Sequence, residues 1–341
     1  MNFKNLFSKT CTITKRHTIL YLFLILLFCS HDLYLKMETY FLTPNQEATL
    51  QLFNGTFEKS ENIITRDRML DASFVANGVR NAISESEWKD LDSTITQVTF
   101  TPNKAGTYVA GVATKARNIE LKAADFNDYL KHDGILDMLD YRSKNQLMEE
   151  DAIESYQKHV KAIFQVGEQK TDDWKTALGY PIEFIPLSNP YDSYSGGSVA
   201  LQLLLEGEPL ANQLVYANHL SKGHHHDNHD HDHSHDESNI EGHSHTDGQQ
   251  LRTNNEGVVE VALQEDGIYY IRTIHMVNIE DDEVVTHASK WATLTFEVTH
   301  KHDESTHTHD DHTHEDVIPT WIFILGSVLL IGLLFFFFRK K

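Results

Sequence analysis

Histidine is the residue on which this chain's chemistry concentrates. Residues 223–245 read GHHHDNHDHDHSHDESNIEGHSH and hold nine histidines (His224, His225, His226, His229, His231, His233, His235, His243 and His245), six acidic side chains and one apolar residue, Ile240. A second run over residues 300–315, HKHDESTHTHDDHTHE, adds six more: His300, His302, His307, His309, His312 and His314. The two runs hold 15 of the chain's 22 histidines, which makes accidental enrichment of a solvated acidic linker the poorer reading. Neutral imidazole is a good ligand for Zn, Ni, Co and Cu, and His-x-His and His-x-x-His spacings on a flexible chain let several rings reach one ion without strain. Interleaved Asp adds oxygen donors and offsets metal charge. The expected cofactor or cargo is therefore a divalent transition ion, Ni, Co or Zn. The carboxylates lack EF-hand spacing, which argues against calcium.

Such donors need elements that carry and place them. Residues 19–29 (ILYLFLILLFC) follow Lys4, Lys9, Lys15 and Arg16, the layout of a secretory signal and too short a run to span a bilayer comfortably, so 1–30 reads as a signal peptide. Residues 318–338 carry no charge over 21 positions, about 31 Å as a helix at ~1.5 Å per residue. This predicts a transmembrane helix over 317–338, with Arg339, Lys340 and Lys341 as a cytoplasmic tail. The positive-inside rule keeps both basic ends in the cytoplasm. Residues 31–316 are then an ectodomain of the inner (cell) membrane, in the periplasm or outside the cell. The seven basic residues just named lie outside it, leaving 22 basic against 50 acidic residues, a net charge of −28 against −21 for the whole chain. That sign attracts cations and disfavours nucleic acid. Both cysteines, Cys11 and Cys29, fall in the targeting segment, so the ectodomain has no disulfide and no thiolate ligand.

Within the ectodomain, residues 31–119 carry β signals. ATLQLFNG alternates, and STITQVTFTPNKAGTYVAGVAT reads as two strands around a turn at residues 102–106. Residues 120–180 read as a helical insert: Asp125 opens a short helix with Phe126, Tyr129 and Leu130 on one side, and Ile153, Tyr156, Val160, Ile163 and Phe164 recur at helical spacing. His132 and His159 within it read as solvated histidines. Residues 181–299 return to strands, with Val199, Leu201, Leu203 and Leu205 on one face and Ala292, Leu294, Phe296 and Val298 inward. The fold expected is mainly β, two small β-sandwich halves with a helical insert. The first histidine run falls in a loop over 221–248 of the second half, and the second run forms a tether over 300–316. Lengthening a loop from about four to 28 residues costs only about 1.7 kcal/mol of closure entropy, so the fold can carry it.

Several stretches together resemble the family of exported domains grouped with NikM-like nickel and cobalt uptake components. They are HDLYLK, ADFNDYLKHDGILDMLDYR, ESYQKHVKAIFQVG, GYPIEFIPLSNPY, LLEGEPLANQLVYA, LRTNNEGVVEV, IYYIRTIHM and WATLTFEV, in order over nearly all of 31–299. The resemblance implies Ig-like or transthyretin-like β-sandwich halves and a role beside a metal transporter. It also implies a metal site built on the amino terminus and a histidine from the body of the fold. Here those would be His31, through its free amine and ring, and His275. A second-position histidine is absent, which counts against square-planar nickel chelation through a backbone amide. His275 shares a strand face with Tyr269, Ile271, Thr273 and Val277, so a buried core histidine is the competing reading. His287, in what reads as an acidic loop, is a weaker candidate ligand.

The expected function is a membrane-anchored, extracytoplasmic metal-binding accessory protein that captures divalent transition ions and supports their uptake, with an inner-membrane metal transporter as partner. The alternative is a non-catalytic protein- or glycan-binding adhesion module with histidine-rich spacers. An enzyme finds little support, since no HExxH, phosphate loop, Cys nucleophile or triad context occurs.

Overall fold

Alternating and unbroken apolar stretches of four to twelve residues dominate the chain, and they fold as strands. The computed structural model describes residues 32–221 and 248–301, of which 51% are strand and 13% helix. In chain order these are β1 (Asp32–Lys36), β2 (Phe41–Leu42), β3 (Ala48–Gly55), β4 (Met69–Ala76), β5 (Val79–Ala82), β6 (Trp88–Leu91), β7 (Ile95–Phe100), β8 (Gly106–Thr114) and β9 (Arg117–Leu121). Helices α1 (Ala123–His132) and α2 (Leu136–Lys144) follow. Then come β10 (Ala152–Val166), β11 (Ile182–Pro186), β12 (Gly197–Leu205), β13 (Glu208–Pro209), β14 (Leu214–Ser221), β15 (Gln249–Arg252), β16 (Val258–Leu263), β17 (Gly267–Asn278) and β18 (His287–Val298). Among the described residues no helix is long and apolar enough to cross a membrane. The expected signal peptide, transmembrane helix and cytoplasmic tail lie outside the described residues.

Three sheets form. One has the order β1-β3-β7-β6, and a second joins β11, β12, β13 and β16. The third has ten strands and the path β15-β14-β17-β18-β10-β8-β4-β5, with β2 and β9 also paired to β10. It takes β4, β5 and β8 from the first expected half and β14, β15, β17 and β18 from the second. The seam is β10, antiparallel to β8 at Ile163–Val166 and parallel to β18 from Glu154 to Ala162.

That seam corrects the helical reading of residues 153–164. The apolar residues of β10 do recur at three- and four-residue spacing, but the strand is buried along most of its length, including Lys158, His159 and Lys161. A strand buried on both faces loses the two-residue alternation that would reveal it. Lys161 is accommodated because its ammonium meets Glu183 at 3.0 Å and the carbonyls of Phe184 and Thr176 at 3.0 and 3.2 Å.

Among the described residues the α-helical part is confined to α1 and α2, and the rest of the helix content is short 3-10 turns such as Asp172–Lys175. α1 buries Phe126, Tyr129 and Leu130, and its first turn is held by Asp151, which accepts from the Ala123 amide at 3.0 Å. These side chains pack with Ile274 of β17 and Trp291 of β18. The chain leaves α1 through Asp133 and Gly134. Gly134 has φ +73°, and a β-carbon there would lie 2.4 Å from the Tyr216 hydroxyl oxygen, so only glycine fits.

Candidate functional site

β17 carries the two neighbourhoods in which the sequence places its fixed donor. A strand turns successive side chains to opposite faces. Arg272 and Ile274 face one way; Ile271, Thr273 and His275 face the other.

On the second of these faces, His275 is half-buried and its Nδ1 lies 2.9 Å from Oε1 of Gln213. Gln213 stands just before β14 and is itself buried. Its Nε2 donates to Thr273 Oγ1 at 3.0 Å and to the Ile274 carbonyl at 3.1 Å. Burial, together with Lys290 directly across in β18, holds the His275 pKa below its ordinary value. The ring is therefore neutral over most of the physiological range, the state in which imidazole ligates metals.

On the opposite face lies the start of the described chain. Asp32 is buried, with its carboxylate 3.6 Å from Arg272 Nε. Arg272 also donates from Nη2 to the Asp133 carbonyl at 3.0 Å and covers the Tyr216 ring at 4.9 Å. Asp133 is buried and meets His132 Nδ1 at 2.9 Å through Oδ1, while its Oδ2 has no hydrogen-bond partner among the described residues. His132 is exposed, as read from sequence, and its ring also meets a buried carboxylate. Beside them, burial pushes Glu154 up to about 7 despite hydrogen bonds from Ser289 and Tyr129, and pushes Lys158 down to about 8. His31 lies outside the described residues. Its neighbour Asp32 belongs to the Arg272 side of β17, and His275 to the other.

Two histidines, His159 and His287, depart from their sequence reading. His159 is 1% exposed, both ring nitrogens lack hydrogen-bond partners among the described residues, and its ring lies 5.6 Å from Tyr180. Burial pushes it down to about 4. It is a core residue and not a solvated one. His287 opens β18 instead of lying in a loop, and is 2% exposed. It meets Thr286 Oγ1 at 2.7 Å and the Phe126 ring at 4.7 Å, and burial pushes it, too, down to about 4.

Of the two runs, His300 alone falls among the described residues, with Nδ1 2.5 Å from Asp266, which also accepts from Ser195 Oγ at 2.6 Å. His224, His225, His226, His229, His231, His233, His235, His243, His245, His302, His307, His309, His312 and His314 lie outside them. The first run joins the antiparallel pair β14 and β15, between Ser221 and Gly248. His219, close to that junction, stacks on Tyr269 at 5.2 Å and lies 3.4 Å from Glu265. Among the described residues no group of three or more His, Cys, Asp or Glu side chains is arranged to hold a metal ion. Among the described residues the fold thus offers single placed donors only. A polar depression of about 420 Å³, lined by Lys36, Glu38, Gln46, Glu47, Gln51 and Gln97 among others, contains no histidine.

A family model described as "Domain of unknown function (DUF4198)" matches residues 29–277. No curated protein matches the chain. Among solved structures, the D0-D1 domain of intimin is 10% identical, with 78% of this chain and 97% of that one covered and a TM-score of 0.17. The adhesin InvE of Yersinia pseudotuberculosis is 10% identical over 80% of this chain and 59% of its own, with a TM-score of 0.19. The three-domain Ig ectodomain of mouse nectin-like molecule 4 is also 10% identical, over 80% and 66%, with a TM-score of 0.17. Likenesses this slight carry no argument about function.

Proposed function

Because the chain belongs to the DUF4198 family through residues 29–277, a family whose description names no activity, we propose a function from the chain's own chemistry: it captures divalent transition ions outside the inner membrane and supports their uptake. The observation that carries this reading is the concentration of 15 of 22 histidines, interleaved with Asp, in two stretches that have too few apolar residues to serve packing. The resemblance to NikM-like nickel and cobalt uptake components supports it, as does the ectodomain's acidic excess. The apolar stretch 318–338 anchors the protein beside an inner-membrane transporter that receives the ion.

The runs act as a low-affinity antenna. Many interchangeable imidazoles capture an ion quickly, none holds it rigidly, and exchange along the run stays fast. The second run, 16 residues long, reaches about 55 Å if extended and roughly 20 to 24 Å as a coil, enough to touch a membrane neighbour. His275 supplies a fixed donor in the body of the fold, and His31, with its free amine and ring, is the proposed second point of attachment. Nothing in this donor set distinguishes nickel, cobalt and zinc, and test-tube affinity for Cu(II) follows the Irving–Williams order whatever the cargo.

Equilibrium dialysis of the full chain in detergent against Ni(II), Co(II) and Zn(II) at pH 7.5 tests this reading. Deleting residues 223–245 should remove several weak equivalents, and His275→Ala one tighter equivalent. The same stoichiometry in native and deleted protein would leave the run a solvated linker.

A further inference from the structure

We propose that Gln213 is a positioning residue that fixes the tautomer of His275, so that the Nε2 lone pair of its ring is presented as a ready donor to a divalent transition ion. This rests on the reading of His275 as a metal ligand and adds a second residue and a defined atom to it.

Gln213 is anchored first through its backbone. Its amide donates to Thr253 Oγ1 at 2.9 Å, and its carbonyl accepts from the Thr253 amide at 3.1 Å. The Thr253 hydroxyl proton is used on the Leu210 carbonyl at 2.7 Å. The residue is therefore held from both sides of its peptide group before its side chain is considered, and at 9% exposure little water competes.

The side-chain amide then has only one sensible orientation. One end faces the Ile274 carbonyl at 3.1 Å, the Leu214 carbonyl at 3.3 Å and the Thr273 hydroxyl at 3.0 Å. Carbonyl oxygens only accept. The Thr273 hydroxyl donates its own proton to the Leu214 carbonyl at 2.7 Å, so toward Gln213 it too accepts. Three acceptors require the NH2 group, because the reverse orientation would set a carbonyl oxygen against all three. The atom 2.9 Å from His275 Nδ1 is consequently Oε1, an acceptor without a proton. A hydrogen bond at that distance needs the proton on Nδ1, and a neutral imidazole protonated at Nδ1 carries its lone pair on Nε2.

That second nitrogen makes no hydrogen bond to any described residue. Strand pairing fixes the Cβ direction, with His275 opposite Lys290 in β18; Lys290 pairs with Glu206 at 3.3 Å, which offsets but does not remove the positive charge felt at His275. An ion arriving at Nε2 displaces no protein hydrogen bond, and the outer amide keeps the ring from turning. Metal-ligating histidines are regularly held in this manner by an acceptor on the far nitrogen, and losing that partner typically costs 10- to 100-fold in affinity.

Two measurements on the full chain test the proposal, one without metal and one with it. The chain, labelled with 15N-histidine, is examined by long-range 1H–15N correlation, and His275 is assigned by its loss in His275→Asn. The expected native pattern is a protonated Nδ1 and an unprotonated Nε2. Gln213→Leu should replace it with a mixture of tautomers and weaken the His275-dependent Zn(II) equivalent by about 10- to 100-fold. An Nε2–H tautomer in the native chain overturns the proposal whatever the variants do, so failure of a variant to fold does not shelter it. An unchanged tautomer in Gln213→Leu overturns it as well. If the native tautomer is as expected but His275→Ala loses no metal, the failure belongs to the reading of His275 as a ligand, and the metal role of Gln213 falls with it.

Discussion

Replacing His159 by leucine should stabilise the folded domain, and the gain should grow as the solution is acidified. His159 is 1% exposed and neither ring nitrogen has a hydrogen-bond partner among the described residues, so folding strips water from two polar atoms and returns nothing to them. An unsatisfied buried polar group costs roughly 1–3 kcal/mol, and a hydrophobic replacement of similar volume costs less than about 1.5 kcal/mol in misfit. At pH 7.5 the variant should gain up to about 3 kcal/mol, less whatever the misfit takes back. The second component comes from protonation. The folded-state pKa is depressed to about 4, below an unfolded value of about 6.5. The neutral ring's contribution is fully present above pH 6.5 and is lost as the pH falls toward 4, because the unfolded chain takes up the proton first. Each pH unit in that window removes about 1.4 kcal/mol from the native protein that leucine does not lose, or about 2 kcal/mol by pH 5. His287 and Glu154 also titrate abnormally, but they are common to both proteins and cancel in the difference. Urea unfolding of residues 31–316 at pH 7.5, 6 and 5 reads the gap directly. A leucine variant less stable than native at pH 7.5, or a gap that stays constant down to pH 5, would refute the reasoning.

Glu154→Gln should act at the other end of the pH range. A carboxyl raised to about 7 contributes stability below its unfolded pKa and loses it as the pH rises through 7. The amide should therefore be more stable than native at pH 8, by up to about 3 kcal/mol, with the advantage gone near pH 4.5, as measured by urea unfolding. Gly134→Ala should destabilise by about 1–3 kcal/mol, since φ +73° disfavours a side chain and the Tyr216 hydroxyl occupies its space; a Tm unchanged within a degree would contradict the placement of that turn. Metal captured by the runs should be strong at pH 7.5 and mostly lost by about pH 5.5, as imidazoles with pKa near 6.5 become cations, which dialysis at the two pH values checks.

Legibility in the sequence varied with how each element meets its surroundings. β12 was plain, because Val199, Leu201 and Leu203 are buried while the residues between them are more open. α1 was equally plain, since its buried Phe126, Tyr129 and Leu130 lie on one stripe. β10 was hidden by the same logic: Val160, Ile163 and Phe164 share the interior with Lys158, His159 and Lys161, so no alternation survives, and the polar residues read as a solvated flank. What makes their burial tolerable is distant. Lys161 needs Glu183, and the strand itself needs β18, whose His287 pairs beside Glu154. A single sheet that joins both expected halves depends on that long-range parallel pairing, and local pattern does not encode it. The histidine runs stand out by composition alone, and all but His300 lie outside the described residues. Gln213 gave no sign, because an isolated glutamine before a strand becomes informative only when Thr273 and His275 are placed against it.

The most direct measurement is the metal content of the native full-length protein isolated from its own membranes at pH 7.5 without chelators, beside a variant that lacks residues 223–245 and carries serine in place of the second run's histidines. Capture of a divalent transition ion predicts nickel, cobalt or zinc well above one equivalent in the native protein, falling to about one in the variant and to less than one when His275→Ala is added. Native protein with no more transition metal than the variant lacking both runs would contradict it.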